Sequence, residues 1–92
     1  MPQPARRKLA DKILIQFLEA DVDIGFGLVD EAKAYRASGQ TEFSARALQE
    51  AAQILVGIER QLHDLSDADS VPFLLLLVEL RREVDALKSD EI

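Results

Sequence analysis

Residues 41–65 carry the most regular apolar pattern of the chain, and this pattern restricts the possible fold more than any other feature. Successive apolar positions are spaced 3, 4, 3, 4 and 3 residues apart. They are Leu48, Ala51, Leu55, Ile58, Leu62 and Leu65. Such spacing places all six side chains on one stripe of an α-helix and is typical of a helix that packs along neighbouring helices. The sequence therefore predicts a central helix within a small all-α bundle.

The length and composition fit this fold. A chain of 92 residues, 48% of them hydrophobic, is enough for one domain with a real core, which we expect to span residues 1–92. Aromatic residues make up only 5% of the chain, and alanine and leucine are abundant, which favours helices over strands. The absence of cysteine excludes disulfides, thiolate catalysis and cysteine-ligated zinc.

A long first helix is predicted over residues 5–38, where two apolar stripes run side by side. One consists of Leu9, Ile13, Phe17, Ala20, Ile24, Leu28, Ala32 and Tyr35, and the other of Ala10, Leu14, Leu18, Val22 and Val29. Gly25 and Gly27 each disfavour helix by about 1 kcal/mol. A break near Gly25 would give four helices. In the alternative the helix is continuous and the glycines allow a neighbour to approach closely; we favour this alternative because the first stripe keeps its phase across the glycines.

The predicted second helix covers residues 41–65. Gly39 is suited to end the first helix, since glycine adopts positive φ without steric penalty. Thr41 is a candidate N-cap for the second. Because so short a connection reverses the chain, the first two helices should be antiparallel.

The predicted third helix covers residues 71–88 and completes an antiparallel up-down-up bundle. Asp69 or Ser70 is expected to cap it, and Pro72 suits a first helical turn, where no N–H partner is lost. The first half of this helix is apolar on every side, so it must be covered on every side.

This excess of apolar surface predicts self-association or a partner helix. The alternative is that the apolar surfaces of helices one and three cover each other within one chain. We expect a homodimer or a partner helix, with an interface formed by Leu14, Leu18, Val22, Leu74, Leu75 and Val78.

A polar turn offers the alternative function, binding of a divalent metal or small ligand in a small regulatory bundle. One histidine and three carboxylates follow one another there: His63, Asp64, Asp67 and Asp69. Nitrogen and oxygen atoms of this kind ligate divalent cations, but the spacing is not that of an EF-hand, and a helix-capping turn accounts for the same residues. With one histidine and no nucleophile motif we expect no enzyme, no metal and no cofactor.

Charge and hydropathy restrict the partners and the location. The net charge of −6 is unevenly distributed, with +3 in residues 1–12 and −9 in the remainder. So acidic a body should repel phosphate backbones, and we expect no nucleic acid partner. No signal peptide and no run of about 20 apolar residues is present, so we expect no membrane insertion and a cytoplasmic location.

The hairpin between the first two helices resembles two known families. Tyr35, Gly39, Ala45 and Ala52 follow the order of the tetratricopeptide repeat pattern, with one extra residue in the turn. With the third helix added, residues 28–88 also resemble the three-helix microtubule-interacting-and-transport (MIT) domain. The tetratricopeptide pattern occurs only once, and residues 1–27 have no counterpart in either family. Both families bind peptides or helices in grooves between their helices, so the resemblance implies a binding module without naming a ligand.

Overall fold

A computed structural model describes the backbone of residues 4–90 and the side chains of residues 9–89. Three helices account for most of this part of the chain: α1 (Pro4–Ala37), α2 (Thr41–Leu62) and α3 (Asp67–Asp90). Each packs against the other two. The predicted all-α, three-helix, up-down-up bundle with a long first helix is therefore confirmed.

Helix α1 runs without interruption through both glycines, so the four-helix alternative is wrong. Gly25 is buried, and a Cβ atom added there would lie 2.9 Å from Leu80 Cδ2 and 3.7 Å from Ile54 Cγ2. The missing side chain therefore lets α2 and α3 approach α1 closely at this level. This packing compensates for the low helix propensity of glycine.

The first turns of α1 extend beyond the rest of the bundle. The Cα atoms span 58 Å along the long axis. At 1.5 Å per residue α1 is about 50 Å long and α2 about 33 Å. Because the short turn at residues 38–40 fixes the C-terminal end of α1 beside the start of α2, the excess length lies at the N-terminal end of α1.

The core runs along the axis between the three helices. All six positions of the predicted stripe are buried, five of them in α2 (Leu48 to Leu62) and the sixth, Leu65, in the turn that follows. α3 contributes Phe73, Leu77, Leu80, Val84 and Leu87, and α1 contributes Leu18, Val22, Val29 and Ala32. The central position predicted for α2 is confirmed. In α1, by contrast, the core is formed by Leu18, Val22 and Val29 of the second apolar stripe together with Ala32 of the first.

In the turn between α1 and α2, the conformation of the glycine is as predicted, but the N-cap of α2 is a different residue. Gly39 has a φ of +80°, the left-handed conformation expected of a residue that ends a helix. Thr41 is already the first residue of α2, and the N-cap is Gln40, whose side chain makes no capping hydrogen bond. The expectation that Thr41 is the N-cap is therefore wrong by one residue.

Helix α3 begins four residues earlier than predicted, because the capping residue is Ser66. The Asp69 amide donates to Ser66 Oγ at 3.2 Å, and the Ser70 amide donates to the Ser66 carbonyl at 3.0 Å. The expectation that Asp69 or Ser70 caps the helix is wrong, and Pro72 lies in the second turn. α2 ends correspondingly early, at Leu62 rather than at residue 65, and closes with two tighter i→i−3 bonds.

Three polar contacts fix the register of α1 against its neighbours. Ser44 Oγ, which is buried, donates to the Ala32 carbonyl at 2.8 Å. Arg36 Nη2 donates to the Leu87 carbonyl at 2.8 Å and so satisfies an acceptor near the C-terminal end of α3. The Lys33 Nζ–Glu83 Oε1 pair, at 3.1 Å, is exposed and contributes little free energy.

Two alanine substitutions distinguish a structural glycine from a replaceable one. Gly27→Ala is expected to raise the free energy of unfolding by about 0.5–1 kcal/mol, because alanine favours helix and nothing lies within 4 Å of the new methyl group. Gly25→Ala brings the same propensity gain but forces a methyl group against fully buried Leu80, which costs about 1–3 kcal/mol. In urea denaturation the free energy of unfolding of Gly27→Ala should therefore exceed that of Gly25→Ala by at least about 1 kcal/mol. Equal stabilities would contradict the close packing described at Gly25.

Candidate interaction surfaces

The six residues predicted to form an interface fall into two groups. Leu18 and Val22 are 0% and 4% exposed, and Leu14 is partly buried against the core. These three residues are covered by the chain's own helices. Leu74, Leu75 and Val78 are 48%, 77% and 56% exposed and are available to a partner. The alternative that the apolar surfaces are covered within one chain therefore holds for the three α1 residues. It does not hold for the three α3 residues, which remain exposed.

An apolar patch on α3 comprises Val71, Leu74, Leu75 and Val78, hereafter the helix-three patch. These side chains lie on the side of α3 opposite Phe73, Leu77 and Leu80, which occupy the core. Residues 71–78 are apolar on every side of α3, but α1 and α2 cover only one side of this helix. Some apolar side chains of this segment are therefore exposed. The patch is a contiguous exposed apolar surface of the kind that marks binding sites.

A groove borders the helix-three patch where α3 meets α2. Its volume is about 550 Å³. It is lined by Glu59, Leu74, Leu77, Val78, Arg81, Arg82 and Asp85. Arg81 Nη2 donates to Glu59 Oε1 and so links α3 to α2 at this level. The groove has an apolar floor and charged edges, which suits an amphipathic segment better than a small polar molecule.

A second apolar surface lies on α1 and was not assigned to an interface by the sequence. Leu9, Ile13, Phe17 and Ile24, hereafter the helix-one stripe, are 59%, 45%, 63% and 51% exposed. Exposed Ala20 continues the stripe between Phe17 and Ile24. The sequence signal was present, because these residues belong to the first apolar stripe of α1, but the interface was assigned to Leu14, Leu18 and Val22 of the second stripe.

The two surfaces are separated by α2. The helix-one stripe lies on the side of α1 that carries Tyr35, whose ring is 5.5 Å from that of Phe43 on α2. The helix-three patch adjoins the other side of α2, where Glu59 pairs with Arg81. A partner that covers one surface therefore leaves the other accessible.

The polar turn does not form the metal site considered as the alternative function. Among the described residues no group of three or more His, Cys, Asp or Glu side chains is arranged to hold a metal ion. His63, Asp64 and Asp67 are exposed, and Asp69 lies in the first turn of α3, where its charge favours the helix dipole. Of the four residues, His63 is the C-cap of α2, whereas the cap of α3 is Ser66.

Two further findings bear on the partners. Within residues 4–90 no helix is long and apolar enough to cross a membrane. No protein-family model, no curated protein and no solved structure matches the chain.

Proposed function

We propose that the protein is a small helical interaction module that binds other helices, in the first place a second copy of itself. The observation that carries the proposal is the exposure of eight large apolar side chains in two clusters, the helix-one stripe and the helix-three patch. Each of the eight is between 45% and 77% exposed. The resemblance to tetratricopeptide and MIT hairpins supports the same class of function, since both families bind helices or peptides.

The size of the surface supports association. Full burial of a large aliphatic or aromatic side chain is worth about 1.5–3 kcal/mol. Eight such side chains, each about half exposed, therefore offer roughly 6–12 kcal/mol if all become covered. Association costs several kcal/mol in lost translational and rotational freedom, so either cluster alone supports a modest affinity and both together a stable complex.

The alternative partner is a helix of another protein in the groove beside the helix-three patch. An amphipathic helix with apolar side chains toward Leu74 and Val78 and charged side chains toward Arg82 and Asp85 would fit the floor and edges of the groove. The proposed function requires neither a nucleic acid partner nor enzymatic activity, and it does not depend on a cytoplasmic location. The expectations of no nucleic acid partner, no enzymatic activity and a cytoplasmic location therefore stay predictions.

Solution mass tests the proposed function. Light scattering coupled to gel filtration, over a range of micromolar concentrations, should show the mass rising toward about 20 kDa, twice the 10.2 kDa of one chain. A hydrophobic dye should bind the surface that remains exposed. A chain that stays at 10.2 kDa at the highest concentration and binds no dye would contradict the proposal. Dye binding without dimerisation would favour the helix of another protein as the partner.

A further inference from the structure

We propose that two copies of the chain associate through the helix-one stripe, with the two α1 helices antiparallel and a two-fold axis between Gln16 and Phe17. This inference rests on the proposed function and specifies its partner, its surface and its orientation. It assigns the partner as a second copy, and it leaves the helix-three patch outside the contact.

The spacing of the stripe suits a pair of helices. Leu9, Ile13, Phe17, Ala20 and Ile24 follow one another at intervals of 4, 4, 3 and 4 residues. Intervals of three and four keep side chains on one face over several turns and are those of helices packed along their length. The small side chain of Ala20 lies between the larger ones of Phe17 and Ile24, where it would admit a side chain from a facing helix. The stripe covers 16 residues, which corresponds to about 24 Å of helix.

The charge beside the stripe changes sign along α1. Lys12 lies before Gln16, whereas Glu19 and Asp23 lie after it. A two-fold axis between Gln16 and Phe17 therefore places Lys12 of one helix at the level of residue 21 of the other, between Glu19 and Asp23. A parallel pair would instead set basic against basic and acidic against acidic, which disfavours association. The charge pattern is thus complementary to itself only in the antiparallel orientation.

Exposed charged residues beside the helix-one stripe favour the same antiparallel orientation. Lys12, Glu19 and Asp23 are exposed and fall on one side of α1, with Gln16 between them at helical spacing. In an antiparallel pair related by a two-fold axis, this side of one helix faces the same side of the other helix. Lys12 of one copy then lies within about 3 Å, along the axis, of both Glu19 and Asp23 of the second copy. None of these three side chains makes an ion pair with another described residue, so all are available.

The apolar area of the stripe sets the expected affinity. Four large side chains, each about half exposed, present roughly 400 Å² of apolar surface per chain. Standard interfaces bury about 800 Å² per partner, so the apolar part of this contact is about half of that area and corresponds to a weak, transient interface. We therefore expect a dimer that dissociates at micromolar concentrations and depends on the charge match for its orientation.

Charge reversal tests the orientation. Lys12→Glu is expected to raise the dimer dissociation constant about 10-fold, because each reversal counts twice in a symmetric dimer. Glu19→Lys with Asp23→Lys should weaken the dimer similarly, and the triple variant should recover most of the loss. Lys88→Glu, an equal reversal on an exposed residue of α3, should leave the dissociation constant unchanged. Weakening by Lys88→Glu to the same extent as by Lys12→Glu would overturn the inference.

Cysteine cross-linking tests the register, and the chain has no native cysteine to interfere. A mixture of the Ile13→Cys and Ala20→Cys chains should form a disulfide-linked dimer, because these positions face each other across the axis. Each variant alone should not, since two copies of position 13 lie about 10 Å apart along the axis and a disulfide requires Cα atoms within about 7 Å. Efficient self-cross-linking of Ile13→Cys would indicate a parallel pair and contradict the inference.

The two proposals fail in different ways. A chain that is monomeric at all concentrations refutes both self-association and the α1 pair. A dimer that is insensitive to reversal at Lys12 and that does not form the mixed cross-link leaves the proposed function intact and refutes only the α1 pair.

Discussion

Leu55→Asp is expected to unfold the protein, whereas Val56→Asp, one residue further along the same helix, is expected to leave it folded. Leu55 is 4% exposed in the middle of the stripe that α2 presents to both neighbours, and Val56 is 51% exposed. Aspartate at position 55 removes about 2–5 kcal/mol of packing and adds the cost of a buried carboxylate without a partner. A domain of 92 residues has a total stability of about 5–14 kcal/mol, so a loss of this size removes most of it.

The Leu55→Asp and Val56→Asp variants are compared by their circular dichroism at 222 nm and by their thermal unfolding. Both variants add one aspartate to the same helix, at neighbouring positions. Leu55→Asp also loses a few tenths of a kcal/mol more helix propensity, which is small beside the difference in burial. Val56→Asp should retain the helical signal and a cooperative melt, with a change in stability of about 1 kcal/mol or less. Cooperative melting of Leu55→Asp near the temperature of the unmodified chain would show that α2 does not lie at the centre of the bundle.

The central helix could be predicted from the sequence because its pattern allows only one interpretation. The apolar residues of α2 form one principal stripe, and this stripe is buried from Leu48 to Leu62, as is Leu65 in the turn that follows. The outer face is largely polar, with Gln49, Gln53 and Arg60, so no second stripe competes with it. Burial of one stripe and solvation of the opposite face is the arrangement that an amphipathic helix favours.

Helix α1 could not be oriented from its apolar residues, because two stripes compete for the core. The α1 residues that the core takes are Leu18, Val22 and Val29 of the second stripe with Ala32 of the first, and Gly25 lies at the intermediate helical position between Val22 and Val29. A small residue in phase with larger ones lets neighbouring helices approach, and this signal was available in the sequence. It was outweighed by the larger side chains of the other stripe, which include Phe17. The expectation that the glycines of a continuous helix let a neighbour approach closely is confirmed at Gly25, but it was not used to choose between the two stripes.

The exposure of the α3 residues was predicted better than that of the α1 residues for a simple geometric reason. A helix segment that is apolar on all sides must expose some of its residues in a three-helix bundle, whichever way it is rotated. Leu74, Leu75 and Val78 satisfy this condition. In α1 the exposed set depends on the rotation of the helix, which the sequence left open between two stripes.

Phe17→Asp is expected to convert the dimer to a monomer while the fold remains intact. Phe17 is 63% exposed, so its replacement removes little from the core of one chain. It lies next to the proposed two-fold axis, where each copy loses an aromatic contact and two carboxylates are brought together. Substitutions at central aromatic positions of an interface typically cost 2 kcal/mol or more, and the symmetry doubles the effect. The dissociation constant should therefore rise at least about 100-fold.

Leu75→Asp is the matched comparison, because Leu75 is even more exposed, at 77%, but lies on the helix-three patch on the other side of α2. If α1 pairs with α1, this variant should keep the dimer mass in analytical ultracentrifugation and lose only the binding of hydrophobic dye at the patch. The reverse outcome, with Leu75→Asp monomeric and Phe17→Asp dimeric, would move the self-association to α3 and leave the helix-one stripe as the surface for another protein. Either result assigns one of the two apolar surfaces to the second copy, since α2 keeps them apart.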